Sequence, residues 1–564
     1  MLPPIPLVEG ALKPAVVYPV ANTLVESRDS NFIFGSVGNG HAKLTINGAP
    51  VEVHPNGAYL AYLPVPPADS PRYDLVAVLG TDTARLDHPV KLRPPVVRYA
   101  ADSALGYDTA SVTPAGRLTL RDEDSVRVGV RTAPNASVVW RGGTDDEIAL
   151  TPQGESFATL MPARMFRTRS ELLISRGRDT IRVALPVIAQ ALPHQWATIG
   201  ADSSGPDATD EELIGRPIPA GTYKWFLLAG TALEVTGRSG EFSRVRLDSH
   251  LEIWVSTSDL HPLPSSYIPA HRVAGNARLV SSSEWEDLVV PMAARPAYFV
   301  DESTHELTVT LYDTMINTDI VNYGANDSLV REAKWTQESD DRGHFTLELS
   351  APAYGYLAFW SNGAFVLRVR RPPRVQRDDP LKGLTIAVDP GHPPIGATGP
   401  TGLYEPVPTL AIGLVVQQLL TARGAKVVMT RTTAEPVALG DRPVMARKAN
   451  ANALVSIHLN ALPDGINPFT SNGTGAYYFR SQSVPLARAL QSAMVARMGL
   501  RNLGINYDNL RLARPTWMPA VLCEGAFLMI PEQEAALRTP AFQRAYATAI
   551  VDGLENYFRS LPSR

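Results

Sequence analysis

Through the first two thirds of the chain, apolar and polar residues alternate in short runs broken by proline and glycine. Leu307-Thr308-Val309-Thr310-Leu311, Phe345-Thr346-Leu347-Glu348-Leu349 and Phe365-Val366-Leu367-Arg368-Val369 show a period of two. Successive side chains of a strand point to opposite faces, so this spacing predicts a half-buried antiparallel sheet. Arg371-Pro372-Pro373-Arg374-Val375-Gln376-Arg377-Asp378-Asp379-Pro380 has no apolar period and reads as a linker. After it the texture changes. Residues 384–388 form a continuous apolar run, Thr409 stands where it can cap a helix over 410–422, and Gly424 is a stop. Residues 425–430 read as strand, Asp441 as the cap of a helix through Ala449, and 453–457 as strand again. Strands alternating with helices predict an α/β domain with a largely parallel sheet.

An internal repeat organises the N-terminal region. Its first copy runs through Phe32-Ile33-Phe34-Gly35, Ala42 to Gly48, Val51 to Gly57 and Leu63-Pro64. The second runs through Val126-Arg127-Val128-Gly129, Ala136 to Gly142, Ile148 to Gly154 and Met161-Pro162. Each copy reads strand, strand, glycine-containing turn, strand, because glycine accepts the positive φ of hairpin turns. The copies resemble immunoglobulin-type sandwiches of bacterial envelope proteins. Thr222-Tyr223-Lys224-Trp225-Phe226-Leu227, Gly230-Thr231, Val245-Arg246-Leu247 and Trp254-Val255 resemble the small bacterial SH3-like barrel, which implies wall binding. The unit after Ala277 resembles the AMIN type of targeting domain. The expected fold class is multidomain: several small all-β domains, sandwich and SH3-like barrel, followed by a C-terminal α/β domain. The expected boundaries are 1–97 and 98–187 for the two immunoglobulin-like repeats, 188–268 for the SH3-like barrel, 269–372 for the AMIN-like domain, 373–382 for the linker and 383–564 for the α/β domain.

Composition narrows the function. A chain of 564 residues exceeds one core and divides into about three to five units at roughly 100–200 residues each. With 45% hydrophobic residues, 19% charged residues and a net charge of −4, it has no basic footprint, which excludes nucleic acid as a partner. No run of about 18 apolar residues predicts a transmembrane segment. Met1-Leu2-Pro3-Pro4-Ile5-Pro6 lacks the basic head and apolar stretch of a signal peptide, so either the protein is cytoplasmic or a leader has been removed. Cys523 stands alone and excludes an intrachain disulfide.

The chemistry lies at three strand ends. From about residue 381 onward there are two histidines, His392 in Val388-Asp389-Pro390-Gly391-His392 and His458 in Ser456-Ile457-His458-Leu459-Asn460, each closing an apolar run. Glu524 closes another in Val521-Leu522-Cys523-Glu524-Gly525, where a carboxylate needs a partner to offset desolvation. In an open α/β sheet ligands bind beyond the carboxyl ends of the strands, so all three converge on one rim. Zinc favours imidazole and carboxylate, and a catalytic site uses three protein ligands plus an open position. Glu405, in the loop before the helix after Thr409, lies on the same rim and completes a His, Glu, His set. Cys523 points to the opposite face from Glu524 and reads as a buried small hydrophobe. Asp389 ties the turn before His392, and Arg442 supports a helix start or an ion pair.

Asp389-Pro390-Gly391-His392, Glu405, Thr430-Arg431, Leu439 with Arg442, Ser456 to Ala461, Gly473-Thr474-Gly475, Leu510-Arg511-Leu512 and 519–528 together resemble the zinc-dependent N-acetylmuramoyl-L-alanine amidases of bacterial wall turnover. The resemblance spans residues 383–560 in order. It implies His392, Glu405 and His458 as ligands of one Zn²⁺ per chain, Glu524 as catalytic acid/base and Asn460 as a substrate contact. It also implies peptidoglycan as substrate, other envelope proteins as partners of the β modules, and an exported, periplasmic or wall-associated location. Pro393-Pro394 stands where the family usually has glycines, Pro406 where a lysine is common, and Met529-Ile530 where Ser-Asn is usual. Only 462–472 separates the second histidine from the next strand, which predicts a cleft free of the blocking helix that some such amidases insert there. Two other readings stay open: a wall-binding protein that does not cut, and a zinc peptidase or deacylase on the same core.

Overall fold

Period-two alternation becomes paired sheets in the computed structural model, which describes residues 2–93, 99–100, 103–122, 124–143, 146–189, 195–208, 213–324 and 328–562. In the first repeat, Ser30–Ser36 lies between Ala15–Tyr18 and Ala58–Pro64. A second sheet runs Ala49–Val51, Lys43–Ile46, Arg72–Leu79, Asp82–Pro89. Ile33, Ile46, Tyr59, Tyr73 and Leu75 form the shared core. Asn47 and Gly48, at φ 50° and 80°, make the tight turn between Lys43–Ile46 and Ala49–Val51. The second repeat pairs strands in the same succession. Tyr107–Thr113, Ser125–Thr132, Ser156–Pro162 and Thr151–Gln153 face Glu147–Ala149, Ser137–Arg141, Ser170–Arg176 and Asp179–Leu185 across Val128, Trp140, Phe166 and Ile174. The boundary expected at 97/98 lies outside the described residues.

The next two units are also sheets. Leu118–Leu120 pairs with Val187–Ala189 and with Thr231–Ser239, so strands from the second repeat join the sheet that carries the 231–256 strands. The buried pair Arg121 to Glu234, 2.8 Å apart, seals that junction. Further along, a five-stranded sheet (Val321–Asn322, Ala277–Ser281, Trp285–Pro291, Ala364–Arg370, Gly355–Ser361) and a four-stranded sheet (Ala297–Glu302, Glu306–Tyr312, Arg342–Leu349, Val330–Ser339) enclose Leu288, Val309, Phe345 and Leu367.

From Thr385 the chain builds the expected α/β domain. Its strands, numbered here within that domain, are β1 (Thr385–Pro390), β2 (Lys426–Met429), β3 (Ala453–Asn460), β4 (Thr474–Tyr478), β5 (Asn502–Tyr507) and β6 (Ala520–Phe527). Its helices are α1 (Pro406–Ala422), α2 (Asp441–Lys448), α3 (Val484–Met498), α4 (Pro531–Leu537) and α5 (Pro540–Ser560). The sheet order is β2-β1-β3-β6-β4-β5, parallel except between β6 and β4. Alternate residues separate its faces. Ile386, Val388, Val455, Ile457, Val521 and Cys523 pack on Ile412 of α1, Leu490 of α3 and Ile550 of α5. Ala387, Leu454, Ala520 and Leu522 face the other way, against Val289, Leu357, Phe359 and Val366 of the five-stranded sheet. Each large side chain sealed there contributes about 1.5–3 kcal/mol.

The stretch that reads as a linker therefore joins two units in close contact. Residues 373–382 contain no strand or helix. Just before them, Arg370 donates to the carbonyls of Ala451 (2.6 Å), Asn450 (3.0 Å) and Trp517 (3.2 Å) and lies 4.6 Å from the Trp517 ring centroid. Linker composition describes the solvated residues and says nothing of the sheet faces on either side.

The first repeat also reaches the α/β domain. Phe32, Phe34 and Leu60 pack on Phe527, Met529 and Ile530. Asp464 accepts hydrogen bonds from the Tyr18 hydroxyl (2.5 Å), the Glu26 N–H (2.6 Å) and Asn31 Nδ2 (3.0 Å). Met529 and Ile530, the apolar pair at the Ser-Asn position, are thus buried under another unit. Among the described residues, no helix is long and apolar enough to cross a membrane.

Candidate metal and acid-base site

The site occupies the sheet face that the five-stranded sheet covers lower down. On β1 that face carries Ala387 and then Asp389; on β3 it carries Leu454, Ser456, His458 and Asn460; on β6, Leu522 and Glu524. The apolar members anchor the neighbouring unit, and the polar ones sit above them at the carboxyl ends. His458 and Glu524 are cross-strand partners inside β3 and β6, and only His392 lies beyond its strand. The expected placement of all three after their strands is corrected to that extent. Hydrogen bonding carries β3 and β6 past the apolar runs that mark them in sequence.

His392 is held at φ 59°, a left-handed conformation uncommon for a residue with a side chain. The loop around it is fixed from below. Arg431 donates to the carbonyls of Pro390 (2.8 Å), Gly391 (2.9 Å) and Pro406 (2.9 Å). Arg442 donates to those of His392 (3.2 Å) and Pro393 (3.0 Å). Asp389 is fully buried and receives Arg442 Nη1 at 3.0 Å with the Thr430 and Ser456 hydroxyls at 2.5 Å. Such a buried charge is tolerated because every neighbour is a donor. Asp389 thus ties the turn, and Arg442 makes its ion pair within the same cluster.

Glu405 stands immediately before Pro406, the first residue of α1. The helix begins three residues ahead of the expected Thr409 cap, because proline suits the first helical position. Thr409 instead lies inside α1, its hydroxyl donating to the carbonyls of Glu405 (3.0 Å) and Gly391 (2.9 Å). It therefore links the loop of one candidate ligand to the backbone of another. Glu405 accepts from the Ala397 N–H (2.9 Å) and the Leu459 N–H (3.0 Å). Its two oxygens lie 3.2 Å from His392 Nε2 and 3.2 Å from His458 Nδ1. Burial pushes this carboxyl up, but hydrogen bonds to His392 and His458 outweigh it and hold Glu405 below the usual carboxylate range.

Glu524 is in the opposite condition. It is partly exposed as a residue, yet its Oε2 is sealed and meets no hydrogen-bond donor among the described residues. Burial, with Glu405 acting in the same sense, pushes its carboxyl well above the usual range. Asn460 Nδ2 reaches the Tyr477 hydroxyl at 3.5 Å, and Tyr477 lies within electrostatic reach of Glu524. The sequence reading missed Tyr477, since an aromatic residue in a strand reads as core. It also assigned no job to Arg431, although Thr430-Arg431 belongs to the recognised pattern. Cys523 is buried on the helix side, where burial raises its thiol. Residues 461–473 make turns and hold no helix.

The donor set fits a metal. The ligand atoms of His392, Glu405 and His458 all lie within 4.8 Å of one another. The Glu405 carboxylate faces one imidazole with each oxygen, so either oxygen can join the two ring nitrogens around a single small ion. Two imidazoles and one carboxylate are a zinc donor set, and the Glu524 oxygen beside them meets no protein donor among the described residues.

A sequence profile described as N-acetylmuramoyl-L-alanine amidase matches residues 386–556. The chain is 35% identical over 186 residues to a protein named probable cell wall amidase LytH from Staphylococcus epidermidis, covering 32% of this chain and 61% of that one. It is 31% identical over 208 residues to the protein of that name from Staphylococcus saprophyticus, covering 36% and 67%. Among solved structures, the catalytic domain of CwlV, an N-acetylmuramoyl-L-alanine amidase from Bacillus (Paenibacillus) polymyxa, is 35% identical. That match covers 31% of this chain and 97% of the other, with a TM-score of 0.29.

Proposed function

Because the chain belongs to the N-acetylmuramoyl-L-alanine amidase family through its C-terminal α/β domain, we propose that it hydrolyses the amide joining N-acetylmuramic acid to the L-alanine of the peptidoglycan stem peptide. One observation carries the reading: His392, Glu405 and His458, far apart in sequence, bring their ligand atoms together beside a carboxyl oxygen of Glu524 that meets no donor among the described residues. Those three residues would hold one zinc ion. Bound there, zinc would supply Lewis acidity for the scissile carbonyl and lower the pKa of a water.

The chain's own groups do the rest. Glu524, unpaired at Oε2, takes a proton from the attacking water and delivers it to the alanine nitrogen as the carbon–nitrogen bond breaks. Asn460 and Tyr477, linked to each other, offer an amide and a hydroxyl to the substrate next to that proton path. Arg431, Arg442 and Asp389 keep the His392 loop in its strained conformation so that the ligand positions exist before substrate arrives. The work is done outside the cytoplasm, in the periplasm or on the wall, where the immunoglobulin-like, SH3-like and AMIN-like modules bind wall or envelope proteins.

Purified sacculi incubated with wild type and with Glu524→Gln, followed by mass analysis of released fragments, test this. Free stem peptides from wild type should fall by about 10²–10⁴-fold in the variant, the usual contribution of a general acid/base, with zinc content unchanged. Cleavage within the peptide would indicate a peptidase, and no release from a zinc-loaded wild type would indicate a binding protein.

A further inference from the structure

On the same sheet, β4 and β5 carry an aromatic groove where three units meet. It is lined by Tyr223 of the 231–256 unit, Phe299 and Asp301 of the four-stranded sheet, and Phe479, Tyr507 and Asp508 of the α/β domain. Its volume of about 580 Å³ falls within the range of small-molecule sites, about 300–1,000 Å³. The sequence profile covers only one of its three walls.

The aromatic rings have different roles. Arg216 and Arg514 guanidinium carbons lie 4.6 Å and 4.8 Å from the Tyr223 ring centroid, which fixes that ring as a wall. Phe479 is backed by Arg480 at 4.9 Å and stacks on Tyr507 with centroids 5.3 Å apart and planes at 30°. Tyr507 itself is 66% exposed, so a large aromatic side chain is held by stacking yet left open to the groove. Beside it, the exposed Asp301 and Asp508 carboxylates line the same groove.

We propose that this groove binds the amino-sugar backbone of a glycan strand, with one pyranose ring stacked on Tyr507 and its hydroxyl or acetamido N–H groups donating to Asp508 and Asp301. An apolar C–H face bordered by donors is what a β-linked N-acetylated sugar presents, and it matches an open aromatic ring bordered by acceptors. The lining mixes Asp301, Glu302 and Asp508 with Lys224 and Arg480, so it offers no excess of positive charge to a phosphate-bearing polymer. Tyr477, whose hydroxyl meets Asn460, lies on β4 between Gly475, the partner of Glu524, and Phe479 at the groove. The inference rests on the wall-amidase reading only for the choice of sugar.

Calorimetric titration of the full-length protein with chitotetraose tests it without hydrolysis. Wild type and Glu524→Gln should bind alike, Tyr507→Ala should weaken binding about tenfold at an unchanged melting temperature, and Tyr507→Phe should restore it. No binding to wild type, equal binding by Tyr507→Ala, or binding of a free stem tripeptide in place of chitotetraose would each overturn the proposal. Because chitotetraose has no scissile amide, failure here leaves the hydrolysis result untouched, and loss of hydrolysis leaves this one untouched.

Discussion

Gly391 shows how little room the candidate metal site leaves. A Cβ built there would lie 2.4 Å from His458 Cε1 and 2.5 Å from its Nε2, so the residue before one histidine must be glycine for the other to occupy its place. Gly391→Ala should push the His458 ring aside. Zinc measured after dialysis should drop well below about one ion per chain, with activity falling in step. Retention of full zinc would mean that His458 is not held where the structure puts it. The four residues that converge here were legible in sequence because two are rare histidines at strand ends, Glu524 is an acid closing an apolar run where an isolated charge is costly, and Glu405 is the acid on the same rim that supplies a third ligand. Arg431, Ser456 and Tyr477 were not, because each acts through partners about 20–70 positions away that no local spacing reveals.

At the scale of elements, α1 is tied to the rim through its first turn. Thr409→Val keeps the volume but removes a hydroxyl that donates to Gly391 and Glu405, leaving the buried Gly391 carbonyl one donor short. A cost of about 1–3 kcal/mol is expected in urea unfolding, the usual penalty for breaking a buried hydrogen bond. A larger relative loss of zinc affinity would show that the bond positions both ligands. Sequence placed this threonine as a cap, since a hydroxyl ahead of an apolar periodic run is the ordinary signal for one. Pro406 supplied the competing signal three residues earlier. The α/β alternation was readable because strands and helices differ in period, whereas the β6 irregularity opposite His458 and Asn460 leaves no mark in composition.

Over the whole molecule, one face of the α/β sheet is finished by a neighbouring unit. A fragment of residues 383–564 would expose Leu454, Ala520, Leu522 and Met518 together and should bind a hydrophobic dye and self-associate. A fragment of 269–564 keeps that face covered and should bind less dye and self-associate less by light scattering, Phe527, Met529 and Ile530 being bare in both; equal behaviour of the two would show that the contact adds nothing. Sequence disclosed the existence of several β units through their alternation and repeat, but not their docking, because the residues that dock look like any strand's inner face. The contact of Phe32, Phe34 and Leu60 with Phe527, Met529 and Ile530 joins residues nearly five hundred positions apart. On the ribosome, the first repeat therefore emerges with its docking aromatics bare and waits for almost the entire chain to be made. During synthesis, those three side chains are the surface a chaperone has most reason to hold, and truncated products carrying them are the ones most prone to stick.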